Sequence, residues 1–233
     1  MNQEQKRLLT MLEERKISQE DYLLLSNALK KKSVFANLEN SILINPFKRI
    51  AGIKALLLGF ILLVLMSILG SYANIYYDGV LGYLLPDGIK TTVKPNFFLL
   101  CYQNIIASVV LAAFFLLAAL LYRKKRIRPI DFFGMVALSR YPLFISVIFT
   151  FLEKLIRPEE FKIDYSKGIE LHFSVFGTVS NLLFTLCFIW QIITYFFALK
   201  EASGLEGKSL WISFIITFLV GDVFTMALTR AFI

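Results

Sequence analysis

The sequence predicts an all-α fold: a polytopic membrane protein with five transmembrane helices and a short cytosolic helical hairpin. Three observations predict it. Hydrophobic residues make up 57% of the chain and the mean hydropathy is +0.66, more than a soluble domain of this length needs for a core. The apolar residues fall in five blocks, about 51–75, 97–122, 132–152, 173–199 and 209–232, each long enough to cross ~30 Å of hydrocarbon. Between the second and third blocks stands Arg123-Lys124-Lys125-Arg126-Ile127-Arg128. So dense a cationic run does not cross a bilayer cheaply, and short basic loops stay on the cytosolic side.

That hairpin fixes the orientation of its neighbours and, through them, of the chain. The net charge of +8 is therefore a topology signal and not a nucleic-acid footprint. Cys101 and Cys187 lie far apart inside apolar runs with no C-x-x-C spacing, which reads as two buried small hydrophobes. The polar N-terminus shows no cleavable signal peptide, so the first span is expected to act as the signal.

Residues 1–32 read as a cytosolic helical hairpin. Leu8, Met11 and Leu12 recur at helical spacing, and the chain breaks at Lys16-Ile17. Ser18 then reads as an N-cap, with Asp21 three residues on completing an acidic capping box. The second helix carries Leu25, Ala28 and Leu29 on one side and ends in Lys30-Lys31-Lys32, favourable at the negative end of its dipole. Helices this short bury too little to stand alone. They need a second surface: the membrane domain, another copy of the chain, or a partner protein. The stretch Leu9-Thr10-Met11-Leu12-Glu13-Glu14-Arg15-Lys16-Ile17-Ser18-Gln19-Glu20-Asp21 resembles the short bacterial helical hairpins of the SHOCT-like kind, which flank membrane spans.

Residues 33–50 form a linker. Val34, Phe35, Leu38 and Ile42 share one helical face, as in a segment lying in the membrane interface, and Asn45-Pro46 stops it. Lys48 and Arg49, with Phe47, anchor the first span. Together with the 123–128 run they are the positions expected to face anionic lipid.

The membrane domain is 51–233. Seventeen Lys and Arg residues fall on the side of the 123–128 hairpin and seven on the other, which places the N-terminus in the cytosol and the C-terminus outside. Tyr72, Tyr76 and Tyr77 stand where an outer aromatic belt belongs, and Leu81, Leu84 and Leu85 before the turn Pro86-Asp87-Gly88 suggest a short helix or a half-buried flap.

Polar residues inside the spans are the candidate functional ones. Arg140, in Ser139-Arg140-Tyr141-Pro142, lies roughly 12 Å below the start of its span, and Asp222 lies near the middle of the last. Intramembrane charges face the bundle interior and mark function by default. Their depths differ by roughly 8 Å, about the reach of an extended arginine, but both side chains lean toward their cytosolic helix ends, which leaves a pair across the third and fifth spans open. The bland alternative is a snorkelling Arg and a hydrogen-bonded Asp. Asn104, Ser108, Asn181 and Gln191 are helix–helix glue. Ser108, Ala112 and Ala119 form a small-residue packing seam, and lone His172 reads as an interfacial side chain. No phosphate loop, H-E-x-x-H, paired acids or haem-like His pair occurs, so neither catalysis nor a metal or other cofactor is expected.

The lead-in Asn45-Pro46-Phe47, the stretch Asp131-Phe132-Phe133-Gly134 running to Arg140-Tyr141-Pro142, and Tyr195 to Leu205 followed by Gly207-Lys208 make residues 45–233 resemble the YIP family. The Asp-Leu-Tyr-Gly-Pro motif of its eukaryotic branch is absent, and the resemblance is to the bacterial branch. It implies a five-span core with a cytosolic N-terminus and accessory roles beside exporters or in envelope stress. The expectation is thus a non-enzymatic inner-membrane accessory protein whose arm docks a partner such as an exporter subunit. The alternatives are a small transporter or channel using Arg140 and Asp222, and a membrane-shaping or lipid-binding scaffold.

Overall fold

A computed structural model describes residues 7, 9–12, 14, 16–26, 39–84, 95–122, 127–156 and 175–231, with the backbone alone at 84, 175–178, 180 and 181. Leu8, Leu29, the Lys30-Lys31-Lys32 run, Arg123, Lys124, Lys125, Arg126, the Pro86-Asp87-Gly88 turn, His172 and the side chain of Asn181 lie outside it. The chain divides into two compact units, Met1–Pro46 and Phe47–Ile233.

In the first unit, residues 9–12 and 19–26 are helical, with bends at Lys16 and Ile17 between them. The capping box forms as read. The Asp21 N–H donates to Ser18 Oγ at 3.1 Å, and the Ser18 N–H and hydroxyl donate to Asp21 Oδ2 at 3.4 and 2.7 Å. A helix start that fills its own orphan donors this way is locally specified. Beyond residues 39–40 the linker is not a continuous helix. The Ile44 and Asn45 N–H groups both turn back to the Ser41 carbonyl, and a short 3₁₀ turn follows at Pro46–Lys48.

The second unit holds α1 (Gly52–Ala73), a two-stranded hairpin β1 (Tyr76–Asp78) and β2 (Gly82–Leu84), then α2 (Phe97–Leu121), α3 (Pro129–Leu138), α4 (Tyr141–Ile156), α5 (Val175–Ser203) and α6 (Gly207–Arg230). Five segments are long and apolar enough to cross a membrane: α1, α2, α3 with α4, Leu182–Ser203 of α5, and α6. The fold is that of an all-α integral membrane protein.

Two features depart from the expected plan. The third span is not one helix. Pro142 has no N–H to return to the preceding turn, and the chain turns at Ser139 and Arg140. At that turn the Ser139 carbonyl accepts the Thr194 hydroxyl of α5 at 3.0 Å. Nor do Tyr76 and Tyr77 belong to an outer belt. Tyr72 is exposed, but Tyr76 and Tyr77 are fully buried, because the chain reverses after α1 and re-enters the bundle. Asn74 makes that reversal, taking the left-handed conformation that ends a helix (φ 56°). The strands then pair antiparallel in the register Tyr76 with Leu84, Tyr77 with Tyr83 and Asp78 with Gly82.

The tightest helix seam is α1 on α3. A Cβ at Gly134 would lie 2.7 Å from the Leu56 backbone nitrogen, so only glycine lets the two backbones approach this closely, as small residues do between membrane helices. At the end of that seam the Gly52 N–H donates to the Asp131 carboxylate at 2.8 Å. On α2, Ser108, Ala112 and Ala119 are buried, the packing seam their spacing suggested.

Candidate functional site

The hairpin supplies non-helical backbone inside the bundle, where each peptide group needs a protein partner. Its tip is held from several helices. The Val80 N–H donates to Asp222 Oδ1 of α6 at 2.8 Å. The Val80 carbonyl accepts Gln191 Nε2 of α5 at 2.9 Å, and the Tyr195 hydroxyl reaches the same oxygen at 3.5 Å. The Tyr77 N–H donates to Gln103 Oε1 of α2 at 3.0 Å, and its hydroxyl donates to the Met66 carbonyl of α1 at 2.7 Å. Tyr83 shares hydrogen bonds with Ser146 and Thr150 of α4 at 3.0 and 2.7 Å. At the outer edge Arg230 grips Asp78 with two bonds, Nε to Oδ1 at 2.7 Å and Nη2 to Oδ2 at 2.6 Å. The hairpin therefore ties α1, α2, α4, α5 and α6 together.

Burial raises the Tyr77 and Tyr83 phenols above their ordinary value, the Arg140 charge offsetting part of this at Tyr77 and the Ser146 and Thr150 hydroxyls part of it at Tyr83. Both stay protonated, and the Tyr77 hydroxyl, bonded to a carbonyl, must be the donor.

At the centre lies Arg140. It is 0% exposed, the largest fully buried side chain among the described residues. Its Cζ sits 5.7 Å from the centroid of the Tyr77 ring, a cation–π contact. None of Nε, Nη1 and Nη2 has a hydrogen-bond partner among the described residues. A guanidinium cannot shed its proton to escape burial, so an unsatisfied positive charge sits in the core. Within the second unit Gln103 Nε2, Asn104 Oδ1 and Gln191 Oε1 are also buried and unbonded among the described residues. Each of these side chains is fixed through its other end, Gln103 and Gln191 to the hairpin backbone and Asn104 through Nδ2 to Ser67 Oγ at 3.0 Å.

Arg140 and Asp222, whose pairing the sequence left open, do not form an ion pair. Asp222 is committed to the Val80 amide and Arg140 to the Tyr77 face. Asn104 does join two helices, α2 to α1, whereas Gln191 joins α5 to the hairpin. Lys48, Arg49 and Arg128 are exposed, at the end of the bundle opposite the hairpin. In the arm, Met11 and Leu25 are exposed and Leu12 is half-buried.

Beside the centre runs an open apolar cleft of about 320 Å³, lined by Leu56, Phe60 and Leu63 of α1, Ile105, Ser108 and Val109 of α2, and Ile130, Phe133 and Ala137 of α3. No cluster of His, Cys, Asp and Glu fit to hold a metal occurs among the described residues, and both cysteines are free.

Sequence reasoning missed the hairpin, Gln103, Tyr195 and the Asp78–Arg230 clamp. A signal was present: Tyr76-Tyr77-Asp78-Gly79 sets two β-favouring aromatics before an Asp-Gly turn. No protein-family model, curated protein or solved structure matches the chain.

Proposed function

We propose that the chain is a non-enzymatic accessory scaffold of the membrane, whose arm docks a partner protein such as a subunit of an export or envelope-stress complex. The observation that carries this reading is the re-entrant hairpin. A carrier of the rocking kind needs one group of helices to move against another around its site. Here the buried and half-buried bonds of Tyr77, Val80 and Tyr83 reach five helices at once, and moving any of them breaks hydrogen bonds. Such a bundle serves as a fixed platform. The arm supports the docking role, since it is a compact unit of its own with Leu23, Leu24 and Leu25 in succession exposed.

The charge distribution supports a cytosolic N-terminus and an external C-terminus, in keeping with a bacterial inner membrane. One observation favours the small-transporter reading in its place: the unpaired Arg140. Gentle-detergent purification with mass-spectrometric identification of co-purifying proteins tests the scaffold reading against ion or solute flux in proteoliposomes. A stoichiometric partner that is lost when residues 2–32 are deleted supports the scaffold. Solute flux without such a partner overturns it.

A further inference from the structure

We propose that the apolar cleft and the polar centre form one binding site for a single-chain, monoanionic amphiphile, its carboxylate on Arg140 and its hydrocarbon chain in the cleft. This goes beyond the scaffold reading and does not depend on it.

The first ground is charge. Arg140 is sealed from solvent with all three nitrogens unbonded. The carboxylate that sequence reasoning weighed as its partner, Asp222, is engaged by the Val80 amide and bonds none of the Arg140 nitrogens. A buried cation of this kind calls for a counter-charge, and the planar fork of a guanidinium matches a carboxylate through two parallel hydrogen bonds. Gln103 Nε2 is a further unbonded donor at the same centre.

The second ground is continuity. All three walls of the cleft lead into the polar centre within one helical turn. On α1, Leu63 lines the cleft and its carbonyl accepts the Ser67 hydroxyl, which in turn receives Asn104. On α2, Ser108 lines the cleft and donates to the Asn104 carbonyl at 2.9 Å. On α3, Ala137 lines the cleft three residues before Arg140. Leu63 and Ala137 also pack in the hydrophobic cluster that contains Tyr77, the ring beneath Arg140. Arg140 does not itself line the cleft, so the head group reaches it by displacing these floor residues.

The third ground is the shape and lining of the cleft. It is apolar save for the one Ser108 hydroxyl, its rim residues Phe60, Ile105 and Val109 are exposed on the lipid-facing surface, and its volume is at the small end for ligand cavities. That suits one chain better than the two of a phospholipid. An amphiphile reaches such a site sideways from the bilayer.

The test uses the full chain, delipidated in a detergent without carboxylates, with oleate, methyl oleate and formate as probes and binding read by native mass spectrometry and thermal shift. Oleate should bind saturably at one copy per chain and raise Tm. Methyl oleate, which keeps the chain and loses the charge, should bind about tenfold or more weakly, and formate should not reproduce the shift. This comparison uses the wild-type chain and needs no variant to fold. Arg140→Met should reduce oleate binding to the level of the ester, and Val109→Trp, which fills the cleft from its exposed wall, should weaken oleate binding with Arg140 intact. Equal binding of acid and ester, or oleate binding unchanged in Arg140→Met, overturns the proposal in favour of an apolar groove alone. A full shift with formate overturns it in favour of a small-anion site.

Discussion

Asp222 holds the Val80 amide, with 2.8 Å between its Oδ1 and the nitrogen. This one bond converts a charge in the last span from a transport candidate into a structural cap on re-entrant backbone. Asp222→Ala leaves the N–H buried and unbonded and should cost about 1–3 kcal/mol. Asp222→Asn keeps an oxygen acceptor in place and should cost less. Chemical denaturation in detergent micelles ranks the two, and equal losses would show that the negative charge matters more than the hydrogen bond.

Gly79 turns the hairpin beside that carboxylate, at φ +66°, and a Cβ there would lie 2.7 Å from Asp222 Oδ1. Gly79→Ala must both adopt the left-handed conformation, at about 1–2 kcal/mol, and push the carboxylate from Val80. The loss should fall short of additive when combined with Asp222→Ala, since the second change has already removed the group being displaced. A double-mutant cycle on Tm checks this.

Gly134→Ala acts at the opposite end of the bundle. The added methyl meets the Leu56 backbone nitrogen at 2.7 Å, and backbone yields less readily than a side chain. Overpacking of this kind costs about 1–3 kcal/mol. The expected reading is a lower Tm and reduced yield of monodisperse protein, with the Asp222–Val80 effects above unchanged in size.

Arg230 and Asp78 form a clamp whose two ends differ: the Arg230 side chain is 57% exposed and that of Asp78 9%. Exposed pairs contribute about 0–1 kcal/mol, but removing Arg230 strands a buried carboxylate. Arg230→Met should therefore cost more than an exposed pair would, and adding Asp78→Asn should recover part of the loss. No recovery would mean that the Asp78 carboxylate is solvated without its partner.

Arg140→Met carries the opposite sign. Replacing an unpaired buried charge with an apolar side chain of similar length removes a desolvation cost, and such replacements are neutral or stabilising by about 1–4 kcal/mol. Ligand-free Arg140→Met should thus melt at or above the wild-type temperature. A marked drop in Tm would show that the Tyr77 cation–π contact already satisfies the guanidinium.

The sequence made the five spans legible because crossing hydrocarbon demands long apolar blocks, and nothing else in a chain produces them. The Ser18–Asp21 cap was legible because both partners lie within one turn. The centre was not, for physical reasons that the residues make plain. Arg140 and Asp222 were identified individually, but their partners, Tyr77 and Val80, are 63 and 142 residues away in the chain, and depth along a helix says nothing of which face meets which neighbour. Tyr76 and Tyr77 read as an interfacial belt because aromatics after a span usually are one. Only the Asp78-Gly79 turn hinted that they fold inward. The break at Ser139–Arg140 was signalled by Pro142, yet hydropathy averaged across it gave one continuous span.

The hairpin is part of the packed interior, and hydrogen–deuterium exchange at the Tyr77 and Val80 amides tests that most directly. Both N–H groups are hydrogen-bonded, to the buried Gln103 and the half-buried Asp222, so they should exchange as slowly as mid-helix amides of α2, and Asp222→Ala should release Val80 selectively. Exchange of Tyr77 and Val80 at the rate of an exposed loop would contradict the account.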